Sequence, residues 1–226
     1  RIPVAQHISS EFINSEIKIG DTMYELDHLF GWFVGAYLAE GNINYHEIAI
    51  TNISEHFINK TTKIAERFGK DVRVAEKMGE YGQSITTKFT DKALALLLLD
   101  TCGTGSFVKK VPDFAFTAPP AFKAGLIQAY FDGDGNFHCD EGHHTIRVCS
   151  RSSQLIKDIS LLLAYFGIIG TIRENFVKNA NIYNLYLPTK AAPIYKLEIG
   201  TLLHGDSLNG IVEYSTNSTK QSDYVD

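Results

Sequence analysis

One stretch of the chain occurs twice. Residues 31–42 read GWFVGAYLAEGN and residues 125–136 read GLIQAYFDGDGN. Small residues recur at every fourth position, Gly31, Gly35 and Ala39 in the first copy, Gly125, Ala129 and Gly133 in the second. Apolar runs with that spacing suit helices, and a following glycine suits a helix end. A ridge of small residues lets a second helix approach almost backbone to backbone. Two ridges in one chain are natural partners, with Gly31, Gly35, Gly125 and Ala129 at the contact. Packed in parallel, they bring Glu40 and Asp134, the acids that end each copy, side by side.

Such a pair is locally unfavourable twice over. A carboxylate in the last turn of a helix opposes the helix dipole by ~0.3–1 kcal/mol. Two carboxylates brought together repel and raise a pKa unless positive charge intervenes. A divalent cation that prefers oxygen ligands relieves both penalties, and local violations of this kind point to function.

The duplication extends beyond the two helices. After the first acid come a strand (46–53), a helix starting at Ser54 and ending at Phe68-Gly69, two alternating strands across GEYG, and a helix over 91–100. After the second come FHCD and HHTIRVCS around Asp140-Glu141-Gly142, a helix from Ser152 to Phe166-Gly167, two more strands, and a helix over 189–203. The offset between copies is 94 residues at the acids and 98 at the capping serines, so the second copy's first hairpin carries four extra residues. The pattern predicts an α+β fold of two αββαββα units. It divides the chain into an N-terminal extension (1–24), a first half (25–111), a Pro-rich linker (112–119), a second half (120–208) and a polar C-terminal tail (209–226).

Composition sets the bounds. At 226 residues and 44% hydrophobic, the chain can bury a sizeable core. No run approaches the ~18 apolar residues of a membrane span, and three cysteines do not make a disulfide framework. An intracellular, reducing setting follows as the expectation. The net charge of −5 runs against the usual basic character of nucleic-acid binders, but the charge is uneven. No base lies between Lys18 and Lys60, while residues 60–92 hold eight bases against five acids, and acids grouped off the sheets would leave one face basic.

Two metal readings fail on spacing. Asp132-Gly133-Asp134-Gly135-Asn136 begins like a calcium loop, but an EF-hand needs Gly at position six and Glu at twelve, where this chain has Phe137 and His143. His138, Cys139, His143, His144 and Cys149 lack CxxC or HxxxH spacing and alternate along strands, so they read as strand residues.

The paired stretches match the LAGLIDADG motif, and over about residues 25–208 the chain resembles a two-repeat, monomeric LAGLIDADG homing endonuclease. Ala129 stands where that motif usually has Gly, and Glu40 where Asp is commoner. The resemblance implies two pseudo-symmetric halves, motif helices at a central interface, and a β-saddle that binds double-stranded DNA. It implies that Glu40 and Asp134 bind divalent metal, normally Mg²⁺, and that one phosphodiester on each strand of a long asymmetric site is hydrolysed, leaving short 3′ overhangs. The family also carries a basic residue near its metals, for which Lys109 or Lys110 is the candidate, with Lys109 preferred.

Candidate DNA-binding residues are the outward strand positions Arg73, Lys77, Lys88, Arg147, Arg151 and Arg173, accompanied by Thr86, Asn175, Asn184 and Tyr186. Paired strands fit the major groove, and Arg or Lys can read guanine. The alternative is a LAGLIDADG-fold RNA maturase or DNA-binding regulator that does not cleave. Retention of both acids weighs against it. The ends RIPV and GIVEY resemble the seams of an endonuclease domain inside an intein, although the chain has neither a nucleophile at residue 1 nor a terminal His-Asn pair.

Overall fold

The computed structural model describes residues 13–79, 82–140, 143–177 and 179–222. A hairpin of β1 (Glu16–Ile19) and β2 (Thr22–Glu25) leads into α1 (His28–Glu40), whose N-cap Asp27 accepts from the Phe30 amide. Then follow β3 (Gly41–Asn44), β4 (Glu47–Thr51), α2 (Glu55–Arg67), β5 (Arg73–Gly79), β6 (Gly82–Thr90) and α3 (Lys92–Cys102). A short helix, α4 (Phe114–Thr117), precedes the second copy: α5 (Pro120–Asp134), β7 (Gly135–Asp140), β8 (His143–Ser150), α6 (Ser153–Tyr165), β9 (Thr171–Val177), β10 (Ala180–Leu187) and α7 (Ala192–Glu198). A last helix, α8, spans Gly205–Ser222.

The repeat is visible in small devices as well as in order. Ser54 and Ser152 cap α2 and α6 by accepting from the amides of His56 and Leu155, as short hydroxyl side chains do at helix starts. Each helix closes on Phe and then a glycine in the left-handed region, Gly69 (φ 63°) and Gly167 (φ 73°), which residues without a Cβ adopt most readily.

The two antiparallel sheets have equivalent orders, β3-β4-β6-β5 and β7-β8-β10-β9. In each, the first strand leaves the motif helix directly. Register and alternation give each sheet one apolar and one polar face. Ile43, Ile48, Ile50 and Phe89 turn inward in the first, and Phe137, Ile146, Val148, Leu185 and Leu187 in the second.

The motif helices α1 and α5 form the centre. Both are buried around nearly their whole circumference, which is why neither is amphipathic. A Cβ added to Gly31 would stand 2.0 Å from the Phe122 carbonyl oxygen, and one on Gly35 would stand 2.1 Å from that of Leu126. From the other side, a Cβ on Gly125 would meet the His28 carbonyl oxygen at 2.2 Å. Main chain therefore meets main chain, and Ala129 is fully buried in the same seam. The order of these contacts, early with early and late with late, makes the two helices parallel.

Four local readings change. Gly41 and Gly135 end the motif helices in extended conformation (φ −85° and −83°), not in a left-handed cap. Their lack of a Cβ matters for close approach, since a Cβ would crowd the Tyr37 and Phe131 carbonyls to 2.5 and 2.2 Å. The stretch after the first half is no bare linker: Val111, Ala115 and Ala118 are buried and α4 lies within it. The last helix of the second half stops at Glu198, after a 3-10 turn at Thr189–Ala191, because Gly200 (φ 69°) turns the chain away. Residues read as a polar tail belong instead to α8, whose Leu208, Ile211 and Ser215 are buried at helical spacing. Residues 1–12 and 223–226, parts of the expected extension and tail, lie outside the described residues.

Candidate functional site

The parallel packing brings the ends of α1 and α5 to the floor of an open cleft between the halves. Leu38, Ala39, Gly41, Asn42, Lys109, Asp134, Ser150 and Arg151 are among the residues lining it, and its volume is about 530 Å³. Gly133 packs so tightly against the first motif that a Cβ there would lie 2.7 Å from that of Ala39 and 3.2 Å from Glu40 Cγ. The two acids thus share one site.

Their environments are unequal. Glu40 Oε1 accepts from Asn52 Nδ2 at 3.3 Å. Burial nonetheless pushes its pKa up, against that hydrogen bond and the Lys109 charge. Asp134 receives no hydrogen bond among the described residues. Water reaches its outer side, but protein crowds it on the cleft floor. That crowding, with the Glu40 charge, raises its pKa to about 7, and Lys109 only partly offsets the rise.

Lys109 is a buried cation within electrostatic reach of both acids. Its Nζ donates to the carbonyls of Tyr37 (2.6 Å), Leu38 (3.1 Å) and Gly41 (2.8 Å), and lies 4.9 Å from the centre of the Tyr37 ring. A lysine therefore closes the carbonyl end of α1, where positive charge suits the dipole. Burial lowers its pKa to about 8, the two carboxylates acting the other way. Its neighbour Lys110 instead contributes its amide to the Cys102 carbonyl.

The residues fit a divalent cation by their chemistry. An accessible carboxylate without a protein donor stands beside a second carboxylate, and both carry raised pKa values. Among the described residues no group of three or more His, Cys, Asp or Glu converges. The donor set is thus Asp134, which lines the open cleft, with Glu40 beside it, and it suits a hard divalent cation such as Mg²⁺ that keeps several waters and takes substrate oxygens.

The outer faces of both sheets flank this cleft. Arg73, Lys77, Lys88 and Thr86 share one face of the first, fixed by the pairs Arg73↔Lys88, Ala75↔Thr86 and Lys77↔Ser84. Arg147, Arg173, Asn175, Asn184 and Tyr186 share one face of the second, with the Arg173 guanidinium 5.3 Å from the Tyr186 ring centre. Acids are not all off these faces, contrary to expectation. Glu47 lies on the first, 2.5 Å from Arg73 and 3.2 Å from Lys88. Asp140 lies on the second, 3.4 Å from His138. Arg151 departs from the strand group, since it follows the end of β8 and lines the cleft.

Asn52 was not singled out by sequence, though a signal existed. It stands two residues before the capping Ser54, as Ser150 does before Ser152, and each accepts from that serine's amide. Asp132, left over from the failed calcium loop, is buried and accepts from the Thr201 hydroxyl and from the Leu202 amide at 3.0 Å. The His and Cys residues scatter: His138 faces outward, while His144 stacks on Tyr214 at 3.8 Å.

Residues 121–201 match the family model of the LAGLIDADG-like domain. The chain is 35% identical over 196 residues to DNA-directed RNA polymerase subunit Rpo1C of Methanocaldococcus jannaschii, covering 87% of this chain and 21% of that protein. It is 25% identical to a DNA polymerase of Thermococcus hydrothermalis (72% and 10% covered) and 27% identical to a DNA gyrase subunit of Mycobacterium kansasii (77% and 32%). The chain thus spans a third or less of each of these relatives. Among solved structures, a mesophilic variant of the homing endonuclease I-DmoI superposes with a TM-score of 0.58 at 12% identity, over 77% of this chain and 96% of that one. Full-length DUF199/WhiA from Thermatoga maritima gives 0.58 at 12% identity, over 95% and 70%. I-DmoI has been solved with DNA and Mn or Ca, and its G20S form with target DNA and Mg.

Proposed function

We propose that this chain, a protein of the two-half LAGLIDADG fold with a LAGLIDADG-like domain in its second half, is a site-specific, metal-dependent endonuclease that breaks both strands of DNA. The observation that carries the reading is the pair Glu40 and Asp134, set at the ends of parallel helices on the floor of a cleft flanked by two Arg- and Lys-bearing sheet faces. Binding alone does not require two carboxylates at the point where DNA would lie, since they repel phosphate. Hydrolysis does, if they hold Mg²⁺.

When bound, the metal would supply Lewis-acid stabilisation of charge on phosphate and leaving oxygen. Glu40 and Asp134 would be its protein ligands, one from each half. Lys109, its three donors already spent on carbonyls, holds the end of α1 in place and lends positive charge. Arg73, Lys77, Lys88, Arg147 and Arg173 would grip the backbone and base edges along the duplex as one monomer. Because the two faces differ residue by residue, the target is long and asymmetric. Resemblance to I-DmoI, solved with DNA and divalent metals, supports this reading.

A non-cleaving LAGLIDADG-fold regulator or maturase is the second reading, favoured by the likeness to WhiA over 95% of this chain. A supercoiled plasmid library of candidate sites, incubated with the protein and Mg²⁺, separates them. Linear product that disappears in Glu40→Gln and Asp134→Asn supports the nuclease. Retention of specific plasmids with no cutting supports the regulator.

The relatives bear on origin. An RNA polymerase subunit, a DNA polymerase and a gyrase subunit are different enzymes, yet each matches most of this chain in a minor part of its own length. That distribution fits a mobile element carried within host proteins, an intein-borne endonuclease domain.

A further inference from the structure

The internal repeat sets the residues that follow β8 against counterparts 98 positions earlier, after β4. One pair differs in both charge and polarity. Ile53, after β4, is 62% exposed and apolar. Its counterpart Arg151, after β8, lines the cleft with Asp134 and has its guanidinium 5.1 Å from the centre of the Phe107 ring. Phe107 is itself 60% exposed, so the ring is an exposed platform beside the cleft and not part of the core.

The preceding pair is unequal too. Asn52 hydrogen-bonds Glu40 in the first half, whereas Ser150 accepts from the Ser152 amide, and Asp134 lacks a donor among the described residues. Lys109 and Arg151 are the cations lining this cleft. An ammonium has three donors, and those of Lys109 are directed at Tyr37, Leu38 and Gly41. Arg151 has five donors in a planar fork suited to phosphate. An aromatic face holds that plane and leaves its edge free.

We infer that Arg151, positioned by Phe107, contacts the scissile phosphate on the second-half side of the cleft, and that the two strands are therefore cut at unequal rates, the strand beside Arg151 first. The first half offers apolar Ile53 at the equivalent place. This inference rests on the endonuclease reading and makes the nicked duplex an intermediate on the way to the double-strand break.

The test uses the full chain and a duplex selected by it from a randomised library in Ca²⁺, end-labelled on each strand in turn and cut with Mg²⁺. One strand should be cut about tenfold or more ahead of the other, the order of effect of one charge-assisted contact made to phosphate. Arg151→Ile should slow that strand about tenfold and bring the two rates together. Ile53→Arg should speed the slower strand. Phe107→Ala should give part of the Arg151→Ile defect, which Phe107→Trp restores. In Ca²⁺, Arg151→Ile should also lower affinity for the uncut duplex and reduce the salt slope by about one counterion.

Equal strand rates in the parent protein, or equal slowing of both by Arg151→Ile, would overturn the inference while leaving the nuclease intact. Failure to cut any bound duplex would instead remove the endonuclease reading. The salt slope would then decide alone whether Arg151 touches phosphate, an unchanged slope overturning that contact.

Discussion

Lys109 Nζ lies 2.6 Å from the carbonyl oxygen of Tyr37, and the same amine reaches Leu38 and Gly41. A side chain from the seam between halves thus holds the last turn of α1, and with it Glu40. Lys109→Met removes three donors from a buried helix end. It should cost about 1–3 kcal/mol of stability and abolish cleavage, measured by denaturant unfolding and plasmid linearisation. An unfolding midpoint and a cutting rate both equal to the parent's would show the cation to be idle.

The helix seam makes a sharper demand. A Cβ at Gly35 would lie 2.1 Å from the Leu126 carbonyl oxygen, whereas one at Gly205 meets nothing within 4 Å. Gly35→Ala should therefore destabilise the fold by about 3 kcal/mol or more, the severe end of overpacking. Gly205→Ala should stay within about 0.5 kcal/mol of the parent. Comparable melting temperatures for the two variants would contradict the close approach.

Glu40→Gln and Asp134→Asn each remove a candidate metal ligand with little change of shape. Each should eliminate linearisation of target plasmid in Mg²⁺ while retaining specific binding in a gel-shift assay. Cutting at the parent rate by either variant would rule out its carboxylate as a ligand.

Asp134 also gives the stability a pH signature. Its pKa stands at about 7 in the fold against an ordinary value of 3.8, so the folded chain holds this proton more firmly than the unfolded chain. That contribution is complete below pH about 4 and is lost as pH rises through about 7. Without metal, the melting temperature should decline over that window, and the decline should be smaller in Asp134→Asn. Above pH 7, Mg²⁺ should restore stability to the parent but less to the variant. Parallel melting curves for the two proteins would refute the coupling.

The sheet faces predict an ordered response to salt. Arg73 is engaged with Glu47 at 2.5 Å, while no acid is paired with Arg147 among the described residues. Binding should weaken steeply with ionic strength, by a slope of about −0.9 per phosphate contact. Arg147→Ala should reduce affinity more than Arg73→Ala. A flat salt dependence in all three proteins would mean that the sheets are not the DNA surface.

What sequence reading could reach depended on periodicity. The repeated small residues make the parallel seam legible, because four-residue spacing specifies one helix face without knowledge of the partner. Alternation likewise places Arg73, Lys77 and Lys88 on one face. Glu47 shows the limit: it shares their strand phase, but a sum of charges over a segment hides phase. Lys109 and Lys110 are indistinguishable as a dipeptide, and only burial tells them apart. Arg151 looks like another strand arginine, yet β8 has ended before it, and the turn aims it elsewhere. In α8, three buried positions were masked by the polar residues around them.

The seam of α1 and α5 has a consequence for the history of such chains. Where glycines face carbonyl oxygens, the contact consists of atoms that every polypeptide shares, and it records little about which side chains stand behind it. Each half can then accumulate changes on its own sheet face without renegotiating the join. A protein joined in this way can change its two outer faces one half at a time, like a key whose two edges are filed independently.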